Sequence, residues 1–166
     1  MEESKIYTNV IRIKTIFGKH CKVSEESILS SAKDCIESRF AAGEVLTSSS
    51  KTREYLKVLI GEFEREVFYV LWLNNQHQVI EHGVLFQGTI DGSAVYPREV
   101  VKAGLSCNAA ACIFAHNHPS GMNEPSQADK AITKRLQDAL AIVDIRTLDH
   151  MIVGKSVASM AELGLI

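Results

Sequence analysis

The chain has 166 residues, 46% of them hydrophobic, which suits one domain with a short extension and supports a proper core. Its formal net charge is −2 at pH 7, and neither the first 50 residues nor the rest carries the basic excess expected of a protein that clings to phosphate backbones. No run approaches the roughly 20 apolar residues that span a bilayer. The start, Met1-Glu2-Glu3-Ser4-Lys5, is acidic and lacks the form of a signal peptide, and the four cysteines make no disulfide framework, so a reducing cytoplasm is expected.

In chain order, residues 1 to about 22 place Ile6, Val10, Ile11, Ile13 and Ile16 without a clean period, as in a strand-like arm. Ser24 reads as the N-cap of a helix reaching Phe40, with Ile28, Ala32 and Ile36 along one stripe. Gly43 and Ser48-Ser49-Ser50 mark the boundary, giving an N-terminal extension over 1–45 and a main domain over 46–166. A second helix is expected from Thr52 to Gly61. A strand from Arg65 to Leu73 follows; Asn74-Asn75-Gln76 turns it, and Val79 to Thr89 returns as another strand.

Tyr96-Pro97-Arg98-Glu99 reads as a loop and then a helix start, with proline in the first turn and Glu99 near the N-terminus; a place in a substrate groove is the weaker expectation. That helix runs to about Leu105. Ala111-Cys112-Ile113-Phe114-Ala115 is a buried strand ending at the histidines. Pro119 and Gly121 open a loop, after which Ser126-Gln127-Ala128-Asp129 has the spacing of an N-cap and an acidic first-turn residue. Ala131, Ile132, Leu136, Ala139, Leu140 and Val143 continue that helix, and strands follow near Ile145 to Val153 and at Val157. The mixture predicts an α/β or α+β fold with helices on either side of a curved sheet.

The chemistry gathers at His116-Asn117-His118-Pro119 and Asp129. Side chains at i and i+2 of a strand leave by one face, so His116 and His118 can converge on one ion while Asn117 faces away. Asp129, in the first turn of its helix, aims back toward them. Two imidazoles, one carboxylate and an open fourth position match catalytic zinc, whereas structural zinc takes four ligands, mostly cysteine. The cysteines compete poorly: Cys107 and Cys112 make one C-x4-C with no second pair, and both suit core positions. A hydrolytic zinc site also needs a carboxylate that is not a ligand as general base, and spacing alone leaves Glu62, Glu64, Glu66, Glu81 and Glu99 open. His20, His77 and His82 are read as surface or satisfied core.

H-N-H-P-S-G followed by P-S-x-x-D, preceded by V-Y-P-R-E and followed by D-H-x-I-V-G, resembles the RadC-like branch of the JAB/MPN superfamily, whose metal-binding form carries the JAMM motif. The resemblance runs from about Leu46 to Ile166. It implies a cytidine-deaminase-like MPN fold, one Zn2+ held by His116, His118 and Asp129, and a metalloprotease-like hydrolase acting on a peptide or protein substrate. Arg65 to Leu73 looks like the branch's R-E-x-F-x-V-L-x-L strand, which selects Glu66 as base and proton shuttle. Ser126 would by the same resemblance hold the water or the developing oxyanion, alongside its role as N-cap.

Asn117 departs from the serine or threonine of many deubiquitinating members and matches the bacterial branch, so the resemblance does not carry ubiquitin over as substrate. Full-length RadC proteins often carry a helix-hairpin-helix DNA-binding region, for which residues 1–45 are too short. Asp149-His150 recurs near the site in the family; a structural role is the stronger expectation, support of a ligand the weaker. Two other functional classes are weighed: a metal-dependent nuclease or deaminase acting on nucleic acid, and a non-catalytic MPN scaffold or binding module.

Overall fold

The computed structural model describes residues 10–14, 20–41, 43–46, 48–88 and 95–166, and the chain divides into two compact units, Met1–Ser38 and Arg39–Ile166. In the first unit, β1 (Val10–Lys14) and β2 (His20–Ser24) pair antiparallel, from Val10 opposite Ser24 to Lys14 opposite His20. The expected strand-like arm is therefore a two-stranded ladder over its described part; Ile6 and Ile16 lie outside the described residues. Next comes α1 (Glu25–Ala41), where the Ser27 N–H donates to Ser24 Oγ at 3.2 Å and Glu25 and Glu26 occupy the first turn.

In the second unit, α2 (Ser49–Ile60) begins earlier than the apolar pattern implied, because Ser48 is extended and caps it by accepting from Lys51 N–H. The cap sets the start, not the first apolar residue. Thr52, Tyr55, Leu56, Leu59 and Ile60 form its buried stripe. Then follow β3 (Val67–Leu73), β4 (Val79–Gln87), α3 (Pro97–Ser106), β5 (Ala111–Asn117), α4 (Gln127–Ala141), β6 (Arg146–Val153) and β7 (Val157–Ser159). The five strands make one mixed sheet in the order β4-β3-β5-β6-β7, antiparallel except for the parallel pair of β5 and β6. The expected α/β architecture, a mixed sheet flanked by helices, is what the chain builds.

Every residue of β3 and β5 is buried, as central strands covered on both faces must be. On one face Phe68, Val70, Trp72, Cys112 and Phe114 pack with Val100 of α3, Leu136 and Leu140 of α4, and Ile145. Against the strands β5 to β7, α2 packs as well. By the two-residue alternation, His116 is the next side chain after Phe114 on the α3 and α4 face, and it emerges where the apolar core ends. Phe68 stands directly opposite His116 across the ladder, so the start of β3 meets the end of β5. No helix among the described residues is long and apolar enough to cross a membrane.

Candidate metal centre

The strand β5 delivers both histidines. His116 is 2% exposed, while His118, one residue past the strand, continues its hydrogen bonding by donating its N–H to Val153 O at 2.9 Å. The chain then turns sharply: Gly121 N–H donates to His118 O at 2.9 Å, with Gly121 at φ 82. Gly154 lies under this turn, where a Cβ would stand 2.6 Å from Met122 O, so only glycine admits the close approach. The turn presents Met122 O to His118 Nδ1, which donates to it at 3.0 Å. That bond leaves Nε2 of His118 as the free lone pair.

The helix α4 delivers Asp129. Ser126 caps it in a reciprocal box: its Oγ accepts from Asp129 N–H at 3.1 Å, while its own N–H and hydroxyl donate to Asp129 Oδ2 at 2.7 and 2.6 Å. With Oδ2 so occupied, Oδ1 faces the histidines. His116 Nε2 lies 3.3 Å from Asp129 Oδ1, His118 Nε2 lies 3.8 Å from Oδ2, and the two Nε2 atoms are 2.9 Å apart. Ligands about 2.0–2.2 Å from an ion at tetrahedral angles stand about 3.3–3.6 Å apart; the His116–Asp129 pair meets that spacing, the two imidazole nitrogens stand closer and His118 stands farther from the carboxylate, so shifts of a few tenths of an ångström would bring the three groups around a small divalent cation.

Glu66 precedes β3 by one residue and approaches from the neighbouring strand. With His116 and His118 it forms a group whose ligand atoms all lie within 4.8 Å of one another. Among the described residues its carboxylate makes no hydrogen bond or ion pair, and of the five glutamates that spacing left open it is the one gathered with the histidines. Its position is held by Asn117. The Asn117 side chain, 1% exposed, accepts from Val67 N–H at 2.8 Å and donates to Phe63 O at 2.9 Å and Arg65 O at 3.1 Å.

Alternation turns the Asn117 side chain away from the histidine pair, but its task as a clamp on the Glu66 segment depends on the pairing of β3 with β5, which spacing does not reveal. Asn117→Ala would strand three backbone groups and is expected to cost about 2–4 kcal/mol of folding stability. Urea unfolding measures this; a loss below about 1 kcal/mol would show the clamp to be dispensable.

The pair Asp149-His150 divides between two tasks. Asp149 is structural, accepting from His150 N–H at 2.7 Å, Ala161 N–H at 3.0 Å and the Ser159 hydroxyl at 2.5 Å. His150, fully buried, instead joins the site: its Nε2 lies 2.8 Å from His116 Nδ1 and its Nδ1 2.6 Å from Thr133 Oγ1. Thr133 was not singled out from the sequence. Its position four residues after Asp129 on α4 was the available signal, since that spacing stacks both on one face.

Electrostatics favour ligation by nitrogen and oxygen. Burial raises the Asp129 pKa, but hydrogen bonds from His116 and Ser126 and the nearby His116 charge outweigh it and hold the carboxyl well below its usual range. Burial pushes the Cys112 thiol up to about 12, and burial followed by the charge of Glu81 raises that of Cys107. Neither offers a thiolate.

His150 is held neutral chiefly by burial, then by the His116 charge, with Asp129 opposing and His118 adding to it. Its folded pKa lies well below the ordinary 6.5, so the unfolded chain takes up the proton first as pH falls. The metal-free protein is therefore expected to be stable above about pH 6.5 and to lose up to about 1.4 kcal/mol per pH unit below it. Urea midpoints from pH 8 to 5.5 test this, and His150→Gln should flatten the slope; an unchanged slope in that variant would contradict the assignment.

A cleft of about 560 Å³ opens at these residues, lined also by Phe68, Val95, Tyr96, Ile132, Ser126 and Arg135. Tyr96 thus lines the groove as well as preceding α3. The family model for the RadC-like JAB domain matches residues 46–165, and the chain belongs to this family. A UPF0758 protein of Vibrio cholerae serotype O1 is 54% identical over 140 residues, covering 84% of this chain and 89% of that one. A second from the same strain is 51% identical over 148 residues, covering 89% and 94%. A UPF0758 protein of Photobacterium profundum is 54% identical over 140 residues, 84% of this chain and 62% of its own length.

Proposed function

We propose that the chain is a zinc-dependent metallohydrolase of the JAMM type that cleaves a peptide or isopeptide bond. The observation that carries this reading is the convergence of His116 Nε2, His118 Nε2 and the Asp129 carboxylate, 2.9–3.8 Å from one another, beside a second carboxylate, that of Glu66, with no bonded partner among the described residues. A zinc ion held there supplies an acidified water and a Lewis acid for the substrate carbonyl.

Roles follow from what else each group touches. Asp129, kept ionised and oriented by the capping box, is the carboxylate ligand. Glu66 is the general base: it takes the proton of the attacking water and passes it to the leaving amine, as a group with both oxygens open can do. The Ser126 hydroxyl, exposed at the helix start, turns its proton from Asp129 toward the oxyanion of the substrate as charge develops there. The apolar cleft wall seats the substrate side chains next to the scissile bond. A formal net charge of −2 gives no electrostatic basis for a polyanionic substrate, which favours peptide over nucleic acid.

The test is to incubate the zinc-loaded protein with a library of peptides and isopeptide-linked conjugates. Chelator-sensitive cleavage at a defined bond is expected; stoichiometric zinc with no turnover across the library would favour a binding module instead.

A further inference from the structure

The two ligand imidazoles are oriented by different means. His118 gives its Nδ1 hydrogen to a backbone carbonyl, the common arrangement, but Nδ1 of His116 meets neither a carbonyl nor a carboxylate. It meets another imidazole. Asp149, next to His150 in sequence, is engaged elsewhere by three donors.

We propose that His150, itself anchored by Thr133, is the positioning residue that sets the ring orientation and tautomer of the ligand His116. This rests on the reading of His116 as a metal ligand and adds a requirement the ligands alone do not impose. His116, Thr133 and His150 are 2%, 1% and 0% exposed, so water cannot stand in for any missing partner.

Counting hydrogens fixes the direction of the chain. For His116 Nε2 to face an ion as a lone pair, Nδ1 must carry the ring hydrogen and donate it to His150 Nε2 at 2.8 Å. That nitrogen must be bare, so His150 carries its hydrogen on Nδ1 and donates to Thr133 Oγ1 at 2.6 Å. The Thr133 hydroxyl then donates to Asp129 O at 2.6 Å. Every donor finds one acceptor, and the chain ends on the main chain of the residue whose side chain is the carboxylate ligand. Strands β5 and β6 and helix α4 are thereby tied into one loop around the site.

The opposite direction is also closed, but it does not bind metal. If Thr133 donated to His150 Nδ1, then His150 Nε2 would donate to His116 Nδ1, and the His116 hydrogen would sit on Nε2, aimed at His118 and Asp129. No lone pair would remain for the ion. Metal affinity therefore depends on the ability of residue 150 to accept from His116 and, more weakly, on the ability of residue 133 to hold it.

Zinc affinity measured by chelator competition at pH 8 tests this without reference to turnover. His150→Phe, which cannot accept, is expected to weaken zinc binding about 10- to 100-fold, as loss of a ligand's hydrogen-bond partner does in other metal sites. His150→Gln, whose amide oxygen can reach the place of Nε2, should stay within about threefold of the native protein, and Thr133→Val should fall between. A merely structural residue would show no such rescue. Native affinity in a folded His150→Phe protein overturns the proposal.

Should the phenylalanine variant not fold, long-range ¹⁵N–¹H spectra of the zinc-loaded native protein decide the matter: both His116 and His150 carry hydrogen on Nδ1, and hydrogen on Nε2 of either ring refutes it. His116→Ala separates the two layers. Zinc lost in that variant but retained in His150→Phe refutes the positioning role alone; zinc retained in His116→Ala overturns the ligand assignment and this inference with it.

Discussion

Replacing His118 by alanine is expected to abolish zinc retention and with it hydrolysis, while the fold survives. The side chain lies beyond the end of β5, is only partly buried, and makes one internal hydrogen bond outside the ligand cluster, to Met122 O. Its loss should cost the metal-free protein about 1 kcal/mol. The effect on activity is far larger. The ion's stabilisation of the transition state is worth several kcal/mol, and each ~1.4 kcal/mol is tenfold, so turnover should fall by at least about 10³-fold. Metal analysis after dialysis, read beside circular dichroism and peptide turnover, checks all three parts. Native turnover in the alanine variant would sink the metallohydrolase reading.

Glu66→Gln should produce the complementary phenotype: normal zinc content, a normal fold and a loss of about 10²- to 10⁴-fold in kcat, the range for removing a general base. Glutamine keeps the shape and removes the proton acceptor. Asp129→Asn should instead lower zinc affinity, because it weakens a ligand that the capping box has oriented. If the two phenotypes are exchanged, with Glu66→Gln losing zinc and Asp129→Asn retaining it, then Glu66 is the third ligand and Asp129 the base. Both carboxylates lie close enough to the histidines for the exchange to be a real alternative.

Much of this arrangement was legible in the sequence because it is built from local periodicities. Two-residue alternation sent His116 and His118 to one face, and S-x-x-D predicted both the start of α4 and the capping box that orients Asp129. The mixed sheet with flanking helices followed from the order of elements. Glu66 came from likeness to the R-E-x-F-x-V-L-x-L strand, since spacing alone left five glutamates open.

What was missed depends on pairings between distant segments. Asn117 clamps the chain before β3 only because β3 lies antiparallel to β5, and His150 reaches His116 only because β6 lies parallel to β5, with Phe114 opposite His150. Of the pair Asp149-His150, Asp149 bonds to the His150 and Ala161 backbone and to Ser159 while His150 meets His116, because neighbours on a strand face opposite sides of the sheet. Helix α2 began before its first buried residue for a smaller reason: Ser48, not the apolar pattern, sets where the backbone turns helical.

The central claim is that one zinc ion sits between His116, His118 and Asp129 with Glu66 outside its ligand set. A crystal structure of the zinc-loaded protein, with anomalous differences collected on both sides of the zinc edge, tests it most directly. The account predicts a single peak about 2.0–2.2 Å from His116 Nε2, His118 Nε2 and Asp129 Oδ1, with Glu66 reaching it only through water. A peak bound to Glu66 in place of Asp129, or one lying away from the two histidines, would contradict it.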